Sequence, residues 1–217
     1  ETMAAVLAEK NLTAKLESFR PDMVAFSAKT GEHKYYIAAN DTIKSMDSSI
    51  FTIMGGPHPT FFPELIEKHP FDALCVGEGD DAWPELLDAL DAKTSIDAIP
   101  NIVTRNNFKK DAPPVMRMRR RDLDDLPFLD RDLFYRTTRL GRFPMRSFMV
   151  GRGCPYKCTY CFNHRYNMLY KGKGKLTSRM SVGRIISEIK NLKDRYDTQF
   201  IKFYDDIFIL KDDEAIP

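Results

Sequence analysis

Three of the four cysteines in this 217-residue chain fall within eight residues, in the segment Gly151-Arg-Gly-Cys154-Pro-Tyr-Lys-Cys158-Thr-Tyr-Cys161-Phe. Disulfide frameworks spread their cysteines along a chain, whereas metal sites bunch them. The spacing C-x3-C-x2-C therefore reads as a metal-holding loop in a reduced, cytoplasmic setting, and an oxygen-poor one if the metal is an iron–sulfur cluster. Three thiolates on one loop can hold three irons of a 4Fe–4S cubane and leave the fourth iron open to another ligand. Cys75 stands alone in a different predicted domain, so a closed four-cysteine electron-transfer cluster is disfavoured. Zinc is the main rival, because His164 follows Cys161 by three positions and would complete a three-cysteine, one-histidine site.

The remainder of the chain alternates between two periodicities. Residues 3–19 read as an amphipathic helix with Val6, Leu12, Leu16 and Phe19 among its apolar positions, stopped by Pro21. Short apolar runs at 22–28, 50–54 and 72–76 read as buried strands. Helices are expected at 34–47, with Tyr36, Ile37, Ile43 and Met46 inward, at 60–68, and at 82–91. Asn101 to Thr104 suggests a further strand. Strands alternating with helices through short glycine-bearing loops imply a parallel sheet covered on both faces. Ligands on such sheets sit outside the carboxyl ends of the strands. Those ends carry Ser27-Ala28-Lys29-Thr30, Gly55-Gly56-Pro57-His58 and Gly77-Glu78-Gly79, so three small or polar loops are expected to meet at one edge.

Residues 107–146 read as a linker between domains 1–106 and 147–217. They hold Pro113, Pro114, Pro127 and Pro144, the basic run Arg117–Arg121, and Asp122, Asp124 and Asp125. The basic run is expected to be a solvated surface balanced by those aspartates, and nucleic acid is not an expected partner. The net charge of +2 and the absence of a long apolar run give no case for a nucleic-acid binder or a membrane span. Past the linker, residues 147–151 restart a strand that runs into the cysteines. Residues 181–196 form an amphipathic helix with Ser181 as N-cap and Ile185, Ile186, Ile189 and Leu192 inward. Residues 199–204 are the next strand. The result is a β–loop–α–β unit, the beginning of a parallel barrel or sheet.

The cysteine loop, with the strand before it and Tyr160 just ahead of the last cysteine, resembles the signature of radical S-adenosylmethionine enzymes. The segments PDMVAFSA, MGGPHPTFFPE, DALCVGEGDDAWPELL, GRGCPYKCTYCF and FYDDIF, in this order, are similar to the members of that superfamily that carry a cobalamin-binding domain. The resemblance implies a flavodoxin-like Rossmann domain of the cobalamin-binding type, followed by the start of a radical S-adenosylmethionine partial (β/α) barrel. It places the 4Fe–4S cluster on Cys154, Cys158 and Cys161, and the adenine of S-adenosylmethionine near Tyr160 and the backbone at Phe162. It places cobalamin along Ser27, Gly55, Gly56, His58, Gly77, Glu78 and Gly79. Asp205 and Asp206, at a strand end, would face substrate or the nucleoside, or cap the next loop. His33 and His69 are expected at the surface, Cys75 in a buried strand, and His164 in an exposed loop or as a weak substrate contact.

The family's D-x-H-x-x-G element is absent. The chain reads as cut at both ends, with the first strand missing; that strand is central in the family's sheet, so its loss is expected to leave a gap. No cobalt ligand and no catalytic side chain is named. The resemblance implies a methyltransferase acting on an unactivated carbon or phosphorus centre of a small-molecule or natural-product substrate, with an external flavodoxin- or ferredoxin-type electron donor. The alternatives are a non-methylating cyclisation or rearrangement, methylthio transfer, and a zinc-stabilised binding module.

Overall fold

The structure, a computed structural model, describes residues 9–208. The first turns of the expected amino-terminal helix, with Val6, lie outside them. The chain divides into two compact units, one ending at Arg117 and one beginning at Met118. Residues 107–117 of the expected linker thus belong to the first unit and residues 118–146 to the second.

The first unit runs α1 (Glu9–Phe19), β1 (Met23–Ser27), α2 (His33–Met46), β2 (Phe51–Gly55), α3 (Pro57–Phe61), α4 (Leu65–Lys68), β3 (Ala73–Cys75), α5 (Ala82–Asp91) and β4 (Ile102–Val103). The sheet order is β1-β2-β3-β4. The first three strands are parallel, and β4 closes the sheet antiparallel to β3. No gap separates β1 from β2: five residue pairs run from Met23–Phe51 to Ser27–Gly55. The gap expected from loss of the first strand is not seen between these two strands.

The alternating side chains divide the sheet into two faces. Ile53, Ala73, Cys75 and Ile102 pack with Ala82 and Leu86 of α5, and Trp83 leans on this cluster. Phe26 on the other face meets Tyr36 of α2 and, edge-on, Phe71. Ile43 is fully buried, but Met46, expected inward, is exposed because it sits in the last turn of its helix, and Phe19 is likewise exposed at the end of α1. The single helix expected at 60–68 is two short ones. Pro63 disfavours helical backbone at the residue before it, and Phe62 accordingly turns out at φ −132° and ψ 59°. A half-buried polar pin fastens β2 to the segment entering β3. Asp72 accepts from Lys44 Nζ and from the backbone N–H of Thr52, each at 2.6 Å.

The second unit runs α6 (Asp132–Tyr135), β5 (Met145–Phe148), β6 (Gly151–Arg152), α7 (Asn163–Leu169), β7 (Ser178–Arg179), α8 (Val182–Arg195) and β8 (Phe200–Phe203). β5 and β8 pair in parallel across four residues, with α8 in the crossover, as the β–loop–α–β reading requires. Ser181 caps α8 by accepting the Arg184 N–H at 3.1 Å. Phe148, Val150 and Leu192 form the core, with Ile185, Ile189, Ile201 and Phe203 against it. Ile186 lies about 100° round the helix from Ile185 and is exposed, against expectation. The proline-bearing segment is ordered around Arg146, which is 1% exposed. Its guanidinium lies 4.5 Å from the Tyr135 ring and donates to the Asp197 carbonyl at 2.9 Å.

The strand expected at 147–151 breaks after Phe148. The backbone N–H of Val150 donates to Asp205 Oδ1 at 3.0 Å, and that of Gly151 donates to the same oxygen. Those two donors are thereby lost to a strand ladder. Gly151 and Arg152 instead form a short antiparallel ladder with β7.

Candidate functional site

Two constellations carry the expected site residues, one in each unit. In the first, the carboxyl ends of β1, β2 and β3 lie side by side, so the three loops do meet at one edge. They are tied to one another mainly through backbone. The Ala28 N–H donates to the Gly55 carbonyl, and the His58 N–H to the Ala28 carbonyl, both at 2.9 Å. Gly56 has φ +92°, and a Cβ there would lie 2.9 Å from the Ala28 nitrogen. Only glycine permits that approach, so Gly56 makes room first for the neighbouring loop. Thr60 joins the second loop to the third. Its hydroxyl donates to the Gly56 carbonyl at 2.8 Å and accepts from the Gly77 N–H at 2.9 Å.

His58 is buried on this edge, with the His33 ring stacked on it at 3.7 Å and Phe62 at 4.9 Å. Its Nδ1 is 3.1 Å from Thr30 Oγ1. Burial, reinforced by the neighbouring His33, lowers its pKa and keeps it neutral. His33, expected at the surface, is half-buried by this stack. Ser27 is exposed, whereas Gly77, Glu78 and Gly79 are half-buried. Cys75 is buried in its strand, as expected, and burial pushes its thiol up to about 11, which leaves it protonated and inert. A concavity of about 410 Å³ opens over Ala25, Ile53, Gly55 and Cys75, rimmed by Gly79 and Trp83.

In the second unit, the cysteine loop runs between β6 and α7. Cys154 is buried, Cys161 half-buried and Cys158 exposed. The Cys161 N–H donates to the Cys158 carbonyl at 3.0 Å, which turns the loop into α7. Tyr160 is 92% exposed and Phe162, at the start of α7, 49%. His164 is a half-buried residue of α7, contrary to the exposed loop expected. Among the described residues, no three His, Cys, Asp or Glu side chains gather closely enough to enclose a single metal ion. The compact zinc site of three cysteines and His164 therefore receives no support. A cubane makes a different demand, since each thiolate binds its own iron corner and the sulfurs stay apart. Asp205 accepts from the backbone of Val150 and Gly151, ahead of the cysteine loop rather than in the loop after its own strand, while Asp206 is exposed.

Sequence reasoning missed Thr60, Asn167 and Arg119. Asn167 Nδ2 donates to the Cys154 carbonyl at 2.9 Å. Arg119 is 7% exposed beside Gly153, so the basic run is not a solvated surface throughout. Arg117 likewise forms a two-pronged pair with Glu85, at 3.0 and 2.7 Å. No local signal sets either arginine apart from its neighbours. Among the described residues no helix is long and apolar enough to cross a membrane.

Known proteins resemble the chain along its whole length. Residues 3–87 match the B12 binding domain. An uncharacterized methyltransferase of Pyrococcus horikoshii is 29% identical over 99% of this chain and 46% of its own. The cobalamin-dependent radical SAM methyltransferase TokK of Streptomyces tokunonensis is 28% identical over 65% of this chain and 22% of its own. The solved structure of the cobalamin-dependent S-adenosylmethionine radical enzyme OxsB, with aqua-cobalamin and S-adenosylmethionine bound, superposes with a TM-score of 0.71 at 20% identity, over 93% of this chain and 28% of that one. The chain thus spans less than half the length of these relatives. With residues 3–87 matching the B12 binding domain and a three-cysteine loop following in the second unit, the chain is similar to radical S-adenosylmethionine enzymes that carry a cobalamin-binding domain.

Proposed function

We propose that the protein carrying this chain is a cobalamin-dependent radical S-adenosylmethionine methyltransferase acting on a small molecule. The observation that carries the reading is the pairing, in one chain, of a B12-type glycine edge with a three-thiol loop at the start of a β–loop–α–β unit. The donor set fits a 4Fe–4S cubane with one open iron, because three cysteines sit on one loop and the fourth is buried and protonated elsewhere. The glycine edge fits a corrinoid, because its loops are small and its concavity borders Gly55 and Gly79. When bound, the reduced cluster supplies the electron that cleaves S-adenosylmethionine, and the corrinoid supplies the methyl group.

The chain's own residues position and shield. Cys154, Cys158 and Cys161 hold the cluster. Tyr160, free of the core, offers its ring to the adenine, and Phe162 its backbone. Ser27, Gly55, Gly56, His58 and the Gly77-Glu78-Gly79 loop bound the corrinoid; His58 stays neutral and contributes packing. Asp205 fixes the strand end ahead of the loop. An external ferredoxin- or flavodoxin-type donor supplies the electron.

Anaerobic purification of the full-length protein tests the reading. Iron and sulfide near four each per chain, a corrinoid absorption spectrum, and 5′-deoxyadenosine formed from S-adenosylmethionine are expected. Zinc without sulfide would refute it. A product that gains no methyl group would separate methyl transfer from cyclisation or rearrangement.

A further inference from the structure

The cysteine loop is held by a cation that its own sequence does not contain. Arg119 lies 35 residues ahead of Cys154, and both belong to the second unit. The Arg119 backbone N–H donates to the Lys173 carbonyl at 2.8 Å. Its guanidinium lies 5.4 Å from the ring centroids of both Tyr166 and Tyr170, and it donates to the Leu176 carbonyl at 2.6 Å. The same nitrogen is 3.4 Å from Asn167 Oδ1, and Asn167 in turn donates to the Cys154 carbonyl. Gly153, with φ +79°, completes the seat. A Cβ there would lie 2.8 Å from one guanidinium nitrogen and would overlap the Leu176 carbonyl. The arginine thus fills the space beside the residue that precedes the first thiolate.

Two physical consequences follow. A planar fork between two rings, bonded to a carbonyl and an amide, fixes α7 against the amino-terminal side of the loop, and α7 is covalently continuous with its carboxyl-terminal side. The guanidinium is also a buried cation beside Gly153, at the start of the loop that would hold an anionic cluster. A buried cation favours the more negative oxidation state of its neighbour, because low dielectric strengthens the attraction.

We propose that Arg119, acting partly through Asn167, is the positioning residue of the cluster loop and raises the reduction potential of the cluster held there. The inference rests on the 4Fe–4S reading of the three cysteines.

The test uses the full-length protein, reconstituted without oxygen with iron and sulfide. Two quantities are read: the midpoint potential from an EPR-monitored titration with dithionite, and the rate of iron release to a chelator. In Arg119→Gln the potential should become more negative and release should accelerate about tenfold, the usual scale for losing an outer-sphere partner of a metal site. Arg119→Lys keeps the charge but not the fork, so its potential should stay near wild type while release accelerates. Asn167→Ala should accelerate release with little change in potential. Arg121→Gln removes an exposed charge of the same run and should change neither. Far-UV circular dichroism identifies any variant that has lost its fold, and the lysine variant then decides. An Arg119→Gln protein with wild-type potential and release overturns the inference and leaves the cluster reading standing. A wild-type protein that takes up no iron–sulfur cluster overturns the cluster reading itself.

Discussion

The two units build their candidate sites from opposite materials. On the glycine edge, backbone mostly meets backbone, Ala28 with Gly55 and His58 with Ala28, and one short hydroxyl, that of Thr60, reaches Gly77. On the cysteine loop, side chains from outside the loop do the holding: Arg119, Asn167 and Asp205. The difference follows from what each loop connects. The glycine loops follow three parallel strands whose ladders already place them, so small residues that allow close approach serve there. The cysteine loop leaves a two-residue strand and has little ladder of its own, so side chains must supply the order. A backbone-built edge is broken by adding atoms, whereas a side-chain-built loop is broken by removing them.

The largest effect that would sharpen this contrast is at the thiols. Cys158→Ala should abolish stoichiometric iron and sulfide uptake, measured by metal and sulfide analysis after anaerobic reconstitution, while Cys75→Ala should leave both unchanged. Next come the crowded glycines. Gly56→Ala places a methyl group against the Ala28 backbone at a positive φ and should cost about 3 kcal/mol in urea unfolding. If it costs nothing, the edge is not built by close backbone approach. In the same unit, Asp72→Ala removes the acceptor of Lys44 and of the Thr52 N–H and should cost about 2 kcal/mol.

A smaller effect is expected from His58. Its pKa is lowered in the folded state, so below about pH 6.5 the unfolded chain takes up a proton that the folded chain resists. Stability should therefore fall as pH drops through that value and level off below the folded pKa. Replacing His58 by Phe should flatten this part of the profile of unfolding free energy against pH. The smallest effect belongs to Tyr160. Tyr160→Ala should change stability by no more than about 0.5 kcal/mol, because the ring is 92% exposed and packs on nothing that folding requires.

Much of this architecture was legible in the residues. The α8 helix was readable from Ser181 and the apolar spacing behind it, and the cap bond is there. The convergence of Ser27, Gly55 and Gly77 on one edge was readable because parallel strands place all their carboxyl ends together. Other features were not legible. The break of 147–151 into two strands depends on Asp205, more than fifty residues away. The break of 60–68 was legible in principle, since Pro63 marks it. The stacking of His33 on His58 joins residues on different elements, and no periodicity announces it.

The sequence by itself determined that three thiols share one loop, that a parallel strand–helix alternation precedes it, and that small residues end the strands. These are local properties, set by spacing, periodicity and backbone preference. Only the tertiary structure decided which members of the run Arg117–Arg121 face inward, that Thr60 ties two loops together, and that Asn167 reaches back to Cys154. The physical reason is that a buried cation and a buried amide are defined by their partners, and folding brings those partners from far along the chain.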